Sequence, residues 1–312
     1  MKLFAVVMVC ALLGACEKAG DHSAPDDNAL FKDLPGGNTL LVGGNYMKLQ
    51  GFMDSTLGKM TEKMMASTGT DPAAYKAWSA CFVDLPHMTM VGGIKLAGAF
   101  ELRFAFRGMT IADVRGCAAK AGYPTKVDPD GKYIGVDVPG PGGQTMPASY
   151  LALPDGTLLF DQQMRLGLAP TFVPGSRAEL EGIAGKLATD NATGDKHLIE
   201  LSAKADHHKT FWFAGTGANT PLADKVGDAY GAFDMRDGGL AIDATIAFTD
   251  GSLAAHFTDS VTKAKQNGAL LPPVFKSVLD AVKIERTDGT VHVAASLTAQ
   301  QLSEFAALRG VK

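Results

Sequence analysis

The chain has 312 residues, 46% of them hydrophobic, with 29 basic side chains against 33 acidic ones and a formal net charge of −4. That length supports one large core or two small ones. The mild acidity argues against a nucleic-acid-binding or polybasic membrane surface, and no apolar stretch approaches the 18 residues that a membrane span needs.

Residues 1–16 read MKLFAVVMVCALLGAC, with Lys2 followed by an unbroken apolar run from Leu3 to Leu13. Eleven residues are too few to cross a bilayer and the right number for a signal-peptide core. The run ends in Leu13-Gly14-Ala15-Cys16, which resembles the lipobox of bacterial lipoproteins. There the Cys16 thiol accepts a diacylglyceryl group, and small residues at 14 and 15 admit the peptidase that cuts before it. Leu13 fits that peptidase better than an ordinary signal peptidase, which prefers a small residue at that place. Ordinary cleavage, with Cys16 an idle thiol, is the alternative. The resemblance implies two or three acyl chains, and two or more chains anchor stably at about 0.8 kcal/mol per buried methylene. Glu17 stands where an inner-membrane retention signal has Asp, which favours the outer membrane over the inner.

Residues 1–15 therefore read as a signal peptide and 16–27 as a lipidated tether, polar and reaching roughly 35 Å when extended. Losing Lys2 leaves 28 basic against 33 acidic side chains, a net charge of −5. Of four cysteines, Cys10 leaves with the signal and Cys16 carries lipid, so Cys81 and Cys117 remain, 36 residues apart. In an oxidising compartment they read as a disulfide; two buried free thiols are the alternative.

Beyond the tether a strand, TLLVGGN, leads to helical apolar spacing over 46–66. A second helix is opened by Asp71-Pro72 and runs to Cys81. A hairpin over 94–107 turns at Ala97-Gly98. A helix over 110–121 is capped by Thr110 and Asp113 and stopped by Gly122. Hairpins over 123–138 and 148–163 turn at Pro129-Asp130-Gly131 and Pro154-Asp155-Gly156, with the PGPGG run at 139–143 as a loop between them. Ser176 and Glu179 form a capping box for a helix over 176–188, and polar 189–196 is the expected boundary between halves. The strand TFWFAGTG and a helix over 221–230 follow. Next come a hairpin over 233–249 turning at Asp237-Gly238, helices over 252–266 and 273–281, and a hairpin over 282–297 turning at Asp288-Gly289. Thr298 and Gln301 open a last helix.

The order strand, helix, hairpin, helix, hairpin occurs twice, which predicts a duplication with 28–190 as one lobe and 195–312 as the other. The first half adds the hairpin 148–163 and the helix 176–188. Hairpins make antiparallel sheet, so the expected fold is α+β, two similar lobes of antiparallel β-hairpins with helices packed on one face.

The chain resembles a group of uncharacterised lipoproteins of myxobacteria and related envelope-rich bacteria. The features that carry the resemblance are LLGAC, CFVDLP, FRGMTIADVRGC, PDGTLLF, DGGLAIDATIAF and KIERTDGTVHVAASL, spread over most of the mature chain. It implies a two-lobed α+β fold and a Cys81–Cys117 pair, and it brings no catalytic residues with it.

Chemistry-bearing motifs are sparse. FWFAGTGANTPLADK places Gly215-Thr216-Gly217 between a strand and a supposed helix, but the third glycine of a phosphate loop is Thr220 and no P-loop lysine follows. A tight turn with Thr220 as N-cap accounts for it. His207 and His208 are adjacent and would face opposite sides of a strand, while His256 and His292 stand isolated, so no zinc site is expected. Met53, Met60 and Met64 share a helical face with Leu57, and Met88 and Met90 share a strand face. Soft thioethers can bind copper(I), but no His or free Cys joins them, and methionine ordinarily fills irregular cores. There is no GxSxG, no SxxK and no supported Ser/His/Asp set, and the carboxylates sit at caps and turns.

The expectation is a membrane-anchored envelope lipoprotein with a non-enzymatic binding or scaffolding role and no cofactor. It would engage an envelope protein, lipid or glycan through a cleft or exposed sheet face. Copper(I) or apolar-ligand binding by the Met-bearing helix 46–66 is one alternative, and an envelope hydrolase is another.

Overall fold

Alternating strands joined by Asp-Gly turns fold back on themselves, and here they build antiparallel sheet throughout. The computed structural model describes residues 27–45, 54–67, 69–83, 85, 88–97, 99–139, 145–165, 171–218, 220, 222–270 and 272–308. In chain order these form α1 (Asp27–Phe31), β1 (Leu40–Asn45), α2 (Thr56–Ser67), α3 (Pro72–Val83), β2 (Thr89–Ala97), β3 (Ala99–Arg107) and α4 (Ile111–Ala121). Then come β4 (Thr125–Val127), β5 (Tyr133–Pro139), β6 (Thr145–Ala152), β7 (Leu158–Arg165), β8 (Thr171–Pro174), α5 (Arg177–Ala184) and α6 (Lys196–Ser202). The last part holds β9 (Phe211–Thr216), β10 (Val226–Arg236), β11 (Gly239–Phe248), α7 (Gly251–Gln266), α8 (Pro273–Ala281), β12 (Val282–Thr287), β13 (Thr290–Leu297) and α9 (Ala299–Leu308).

The strands pair in the order β12-β13-β11-β10-β9-β1-β2-β3-β7-β6-β5-β4, with β8 beside β7. The two halves meet where β1 pairs with β9, Val42 opposite Phe213 and Gly43 opposite Trp212. Outward from that seam, β2 and β3 answer β10 and β11. The hairpin β6–β7 is inserted between β3 and β5, whereas β13 pairs with β11 directly. The extra hairpin expected in the first half is thus a sheet extension.

Local chemistry explains the element ends. Thr110 and Asp113 cap α4 reciprocally, and Gly122 closes it at φ 73°. Ser176 and Glu179 do the same for α5, which ends at Ala184 rather than 188. Asp237 and Asp288 both adopt φ 52°, the left-handed region that short hairpin turns demand. The helix expected over 221–230 is not there: Leu222 to Lys225 form a turn, and β10 starts at Val226. VGDAY, the second half of that segment, belongs instead to β10, which lies between β9 and β11 and pairs with both, and that pairing overrides local propensity. Of the segment 46–66, residues 46–53 lie outside the described residues and α2 begins at Thr56. Short α1 and α6 fall in polar stretches that carry no long apolar period.

Helices α2, α3 and α4 pack on one face of the sheet, over Val42, Met90, Phe104, Phe106, Tyr150 and Phe211. Cys81 of α3 and Cys117 of α4 are joined as a disulfide there, Cα to Cα 5.4 Å, both buried. In addition to the single covered face expected, the opposite face is covered over the middle and first-half strands. There α1 and α6 enclose Leu41, Val91, Ala105, Trp212 and Ala214, while Leu180 of α5 packs with Leu151 and Leu159. Asp33, just after α1, is held by Arg107 at 3.3 Å and by the Thr157 hydroxyl at 3.1 Å, and burial pushes its carboxyl above the usual range.

Arg177 at the start of α5 clamps the β4–β5 turn, pairing with Asp128 at 2.8 Å and with Asp130. Its hydrogen bonds hold the Asp130 carboxyl down at about 2. A carboxyl titration followed by NMR is expected to place Asp130 there, and Arg177→Ala is expected to return it toward its ordinary value. Because the folded value is depressed, the stabilisation is present above the unfolded value near 3.8 and disappears as pH falls through about 2.

Candidate functional site

Strand register divides the side chains of the last four strands between two faces. Leu240, Ile242, Ala244, Ile246 and Phe248 of β11 lie opposite Leu297, Ala295, Val293, Val291 and beyond, so these share one side. Phe248 stacks near Phe257 of α7 at 5.6 Å, which places α7 on that side. Helix α9 joins α8 through Phe275 and Phe305, 5.4 Å apart, and through Gln301 donating to the Ser277 carbonyl. The apolar side of these strands is the helix-covered one.

The other side carries Ala241, Asp243, Thr245 and Ala247 of β11, Thr290, His292, Ala294 and Ser296 of β13, and Lys283, Glu285 and Thr287 of β12. None of these residues is buried, and Asp243, Ser296, Lys283 and Glu285 are exposed. One solvated face is ordinary for antiparallel sheet. What distinguishes this area is that α1, α5 and α6 cover the same face elsewhere in the sheet. The result is a flat surface of small and polar side chains, bounded by α6 on the inner side and by the end strand β12 on the outer.

Two histidine–carboxylate contacts mark it. His292 Nε2 lies 3.0 Å from Asp243 Oδ1 across adjacent strands, both side chains substantially exposed. At the inner boundary His197 of α6 meets Asp228 of β10 at 2.8 Å, and Lys204, just past the end of α6, sits 5.6 Å above the Tyr230 ring. These contacts fix side-chain direction on an exposed surface and supply donors and acceptors at its rim. Among the described residues there is no cluster of three His, Cys, Asp or Glu side chains able to hold a metal ion.

The residues singled out in the sequence are dispersed. Cys16 and Met53 lie outside the described residues. Met60 is half-buried on α2, Met64 falls within the same helix, and Met88 and Met90 are buried beneath the helices of the first face. His207 stacks on Trp212 at 4.3 Å, its Nε2 2.8 Å from the Ser202 carbonyl, and His208 is exposed beside it. His256 is exposed on α7. Gly215 lies within β9, opposite Leu40 and Ala229, and Gly217 follows the strand, where its N–H donates to the Gly227 carbonyl and a Cβ would lie 1.7 Å from the Val226 carbonyl. Glycine there admits a crossing chain. The signal for the uncovered face lies in the alternation of LAIDATIAF and TVHVAASL, where Ala241, Asp243, Thr245 and Ala247, and Thr290, His292, Ala294 and Ser296, are all small or polar.

No family model matches the chain, and no curated protein matches it. Among solved structures it is similar to TP0453 in two crystal forms. Form I has a TM-score of 0.42 at 9% identity, with 88% of this chain and 94% of that chain covered. Form III has a TM-score of 0.47 at 8% identity, with 88% and 96% covered. No helix among the described residues is long and apolar enough to cross a membrane.

Proposed function

We propose that this chain is a bacterial envelope lipoprotein, anchored in the outer membrane through lipid on Cys16, with a non-enzymatic binding or scaffolding role. The observation that carries the binding role is the face of β11, β13 and β12, which the described helices leave open while α1, α5 and α6 cover the same side of the sheet over Leu41, Val91, Trp212, Leu151 and Leu159. Its chemistry suits a polar envelope partner. The lipobox-like LGAC supports the anchor, and the Cys81–Cys117 disulfide agrees with an oxidising compartment. Helix α1, which follows the tether in sequence, packs on the same face of the sheet as the uncovered area.

Intact mass of the protein from its own membranes is expected to show residues 1–15 removed and acyl chains on Cys16, with Cys16→Ala releasing the chain from the membrane. In the same cells, a photo-crosslinking residue at Thr245 is expected to give adducts and one at Lys276, on exposed α8, none. An uncut, unacylated precursor removes the anchor. Absence of any adduct from Thr245 removes the binding role.

A further inference from the structure

We infer that β12 is a self-recognition edge, on which a second copy of this chain pairs antiparallel about a two-fold axis at Ile284. The inference does not depend on how the chain is anchored. Among the described residues β12 ends the sheet, with β13 on one side and no strand on the other. Thr287 pairs with Thr290 across the two-residue turn 288–289, and such a turn closes on a hydrogen-bonded pair. Thr287, Glu285 and Lys283 therefore spend their backbone groups on β13, while Val282, Ile284 and Arg286 turn theirs outward. The Lys265 ammonium, donating to the Val282 carbonyl, agrees with that assignment.

An outward row of backbone donors and acceptors invites pairing, and charged side chains ordinarily guard it. The charges here are of both signs, two residues apart. In a two-fold pairing centred on residue 283, Lys283 faces Lys283. Centred on 285, Glu285 faces Glu285, and centred on 286, Arg286 faces Arg286. Like charges directly opposite are destabilising. Centred on Ile284, Lys283 of each copy faces Glu285 of the other, twice, in the non-hydrogen-bonded positions where side chains lie closest. Only that register also engages all three outward residues, Ile284 with itself and Val282 with Arg286. A one-sign edge repels a copy of itself in every register; here the centres on 283, 285 and 286 set like charges opposite, and those on the end residues 282 and 287 leave most of the strand unpaired. Both charges are exposed and lie on the uncovered face, so the paired copies would present one continuous surface.

Equal amounts of light- and heavy-isotope full chain, solubilised in detergent, are to be mixed and treated with a zero-length carbodiimide coupling reagent. The reagent activates a carboxylate, the amine displaces it, and an amide forms with the reagent leaving as its urea. Expected are a dimer by native mass spectrometry and light–heavy peptides joined between Lys283 and Glu285. K283E and E285K alone are each expected to weaken the dimer by about tenfold or more, and K283E/E285K together to restore it. These residues are exposed, and unchanged melting curves show that the variants fold. A chain that stays monomeric, a dimer indifferent to the single reversals, or a double reversal that fails to restore it overturns the inference.

Discussion

Trp212→Ala is expected to cost about 3–5 kcal/mol in urea unfolding, the range for emptying a large aromatic site in a core. Trp212 is 1% exposed and sits at the seam between the halves, edge-on to Phe31 of α1 at 6.1 Å and stacked against His207. Its indole lies over Gly43 of the neighbouring strand: a Cβ there would come within 2.2 Å of the ring nitrogen. Gly43→Ala is therefore expected to cost about 1–3 kcal/mol by overpacking. Combined with Trp212→Ala it is expected to cost almost nothing further, because the ring it collides with is gone. A Gly43→Ala penalty of equal size in both backgrounds would show that the ring is not what demands glycine. The seam is where the tether-proximal helix, both halves and the inner boundary of the uncovered face come together.

The second large effect is covalent. Removing the Cys81–Cys117 bridge by a double Ala substitution is expected to lower stability by about 3–4 kcal/mol, from the freedom that a 36-residue loop regains in the unfolded chain. The folded helices are expected to stay paired, since Trp78 of α3 packs against Tyr123 just after α4 at 5.5 Å. Urea midpoints of oxidised and variant protein decide it, and coincident curves would show that the bridge constrains nothing. Loss of the bridge loosens α3 and α4 on the first face and leaves the uncovered face, on the opposite side of β11 to β13, unaltered.

Much of this was written locally. The caps at Thr110, Ser176 and Thr298, the turns at Asp237 and Asp288, and the alternating strands they join depend on neighbours within a few residues, so the α+β class could be read directly. Residues 221–230 could not, because whether VGDAY at their end is helix or strand depends on β9 and β11 arriving on either side of it. The same holds for His292: its sequence neighbours do not say that Asp243 stands beside it or that none of the described helices lies above it.

The sequence by itself determined where chain direction reverses, which positions prefer the interior, and the lipobox-like run on which the anchor proposal rests, since each is a property of contiguous residues. Only the tertiary structure decided that the two halves share one sheet through β1 and β9, that helices enclose both faces over part of it, and which polar face stays open. Those outcomes turn on pairing between strands separated by more than a hundred residues, and no local preference encodes which distant edge a strand will meet.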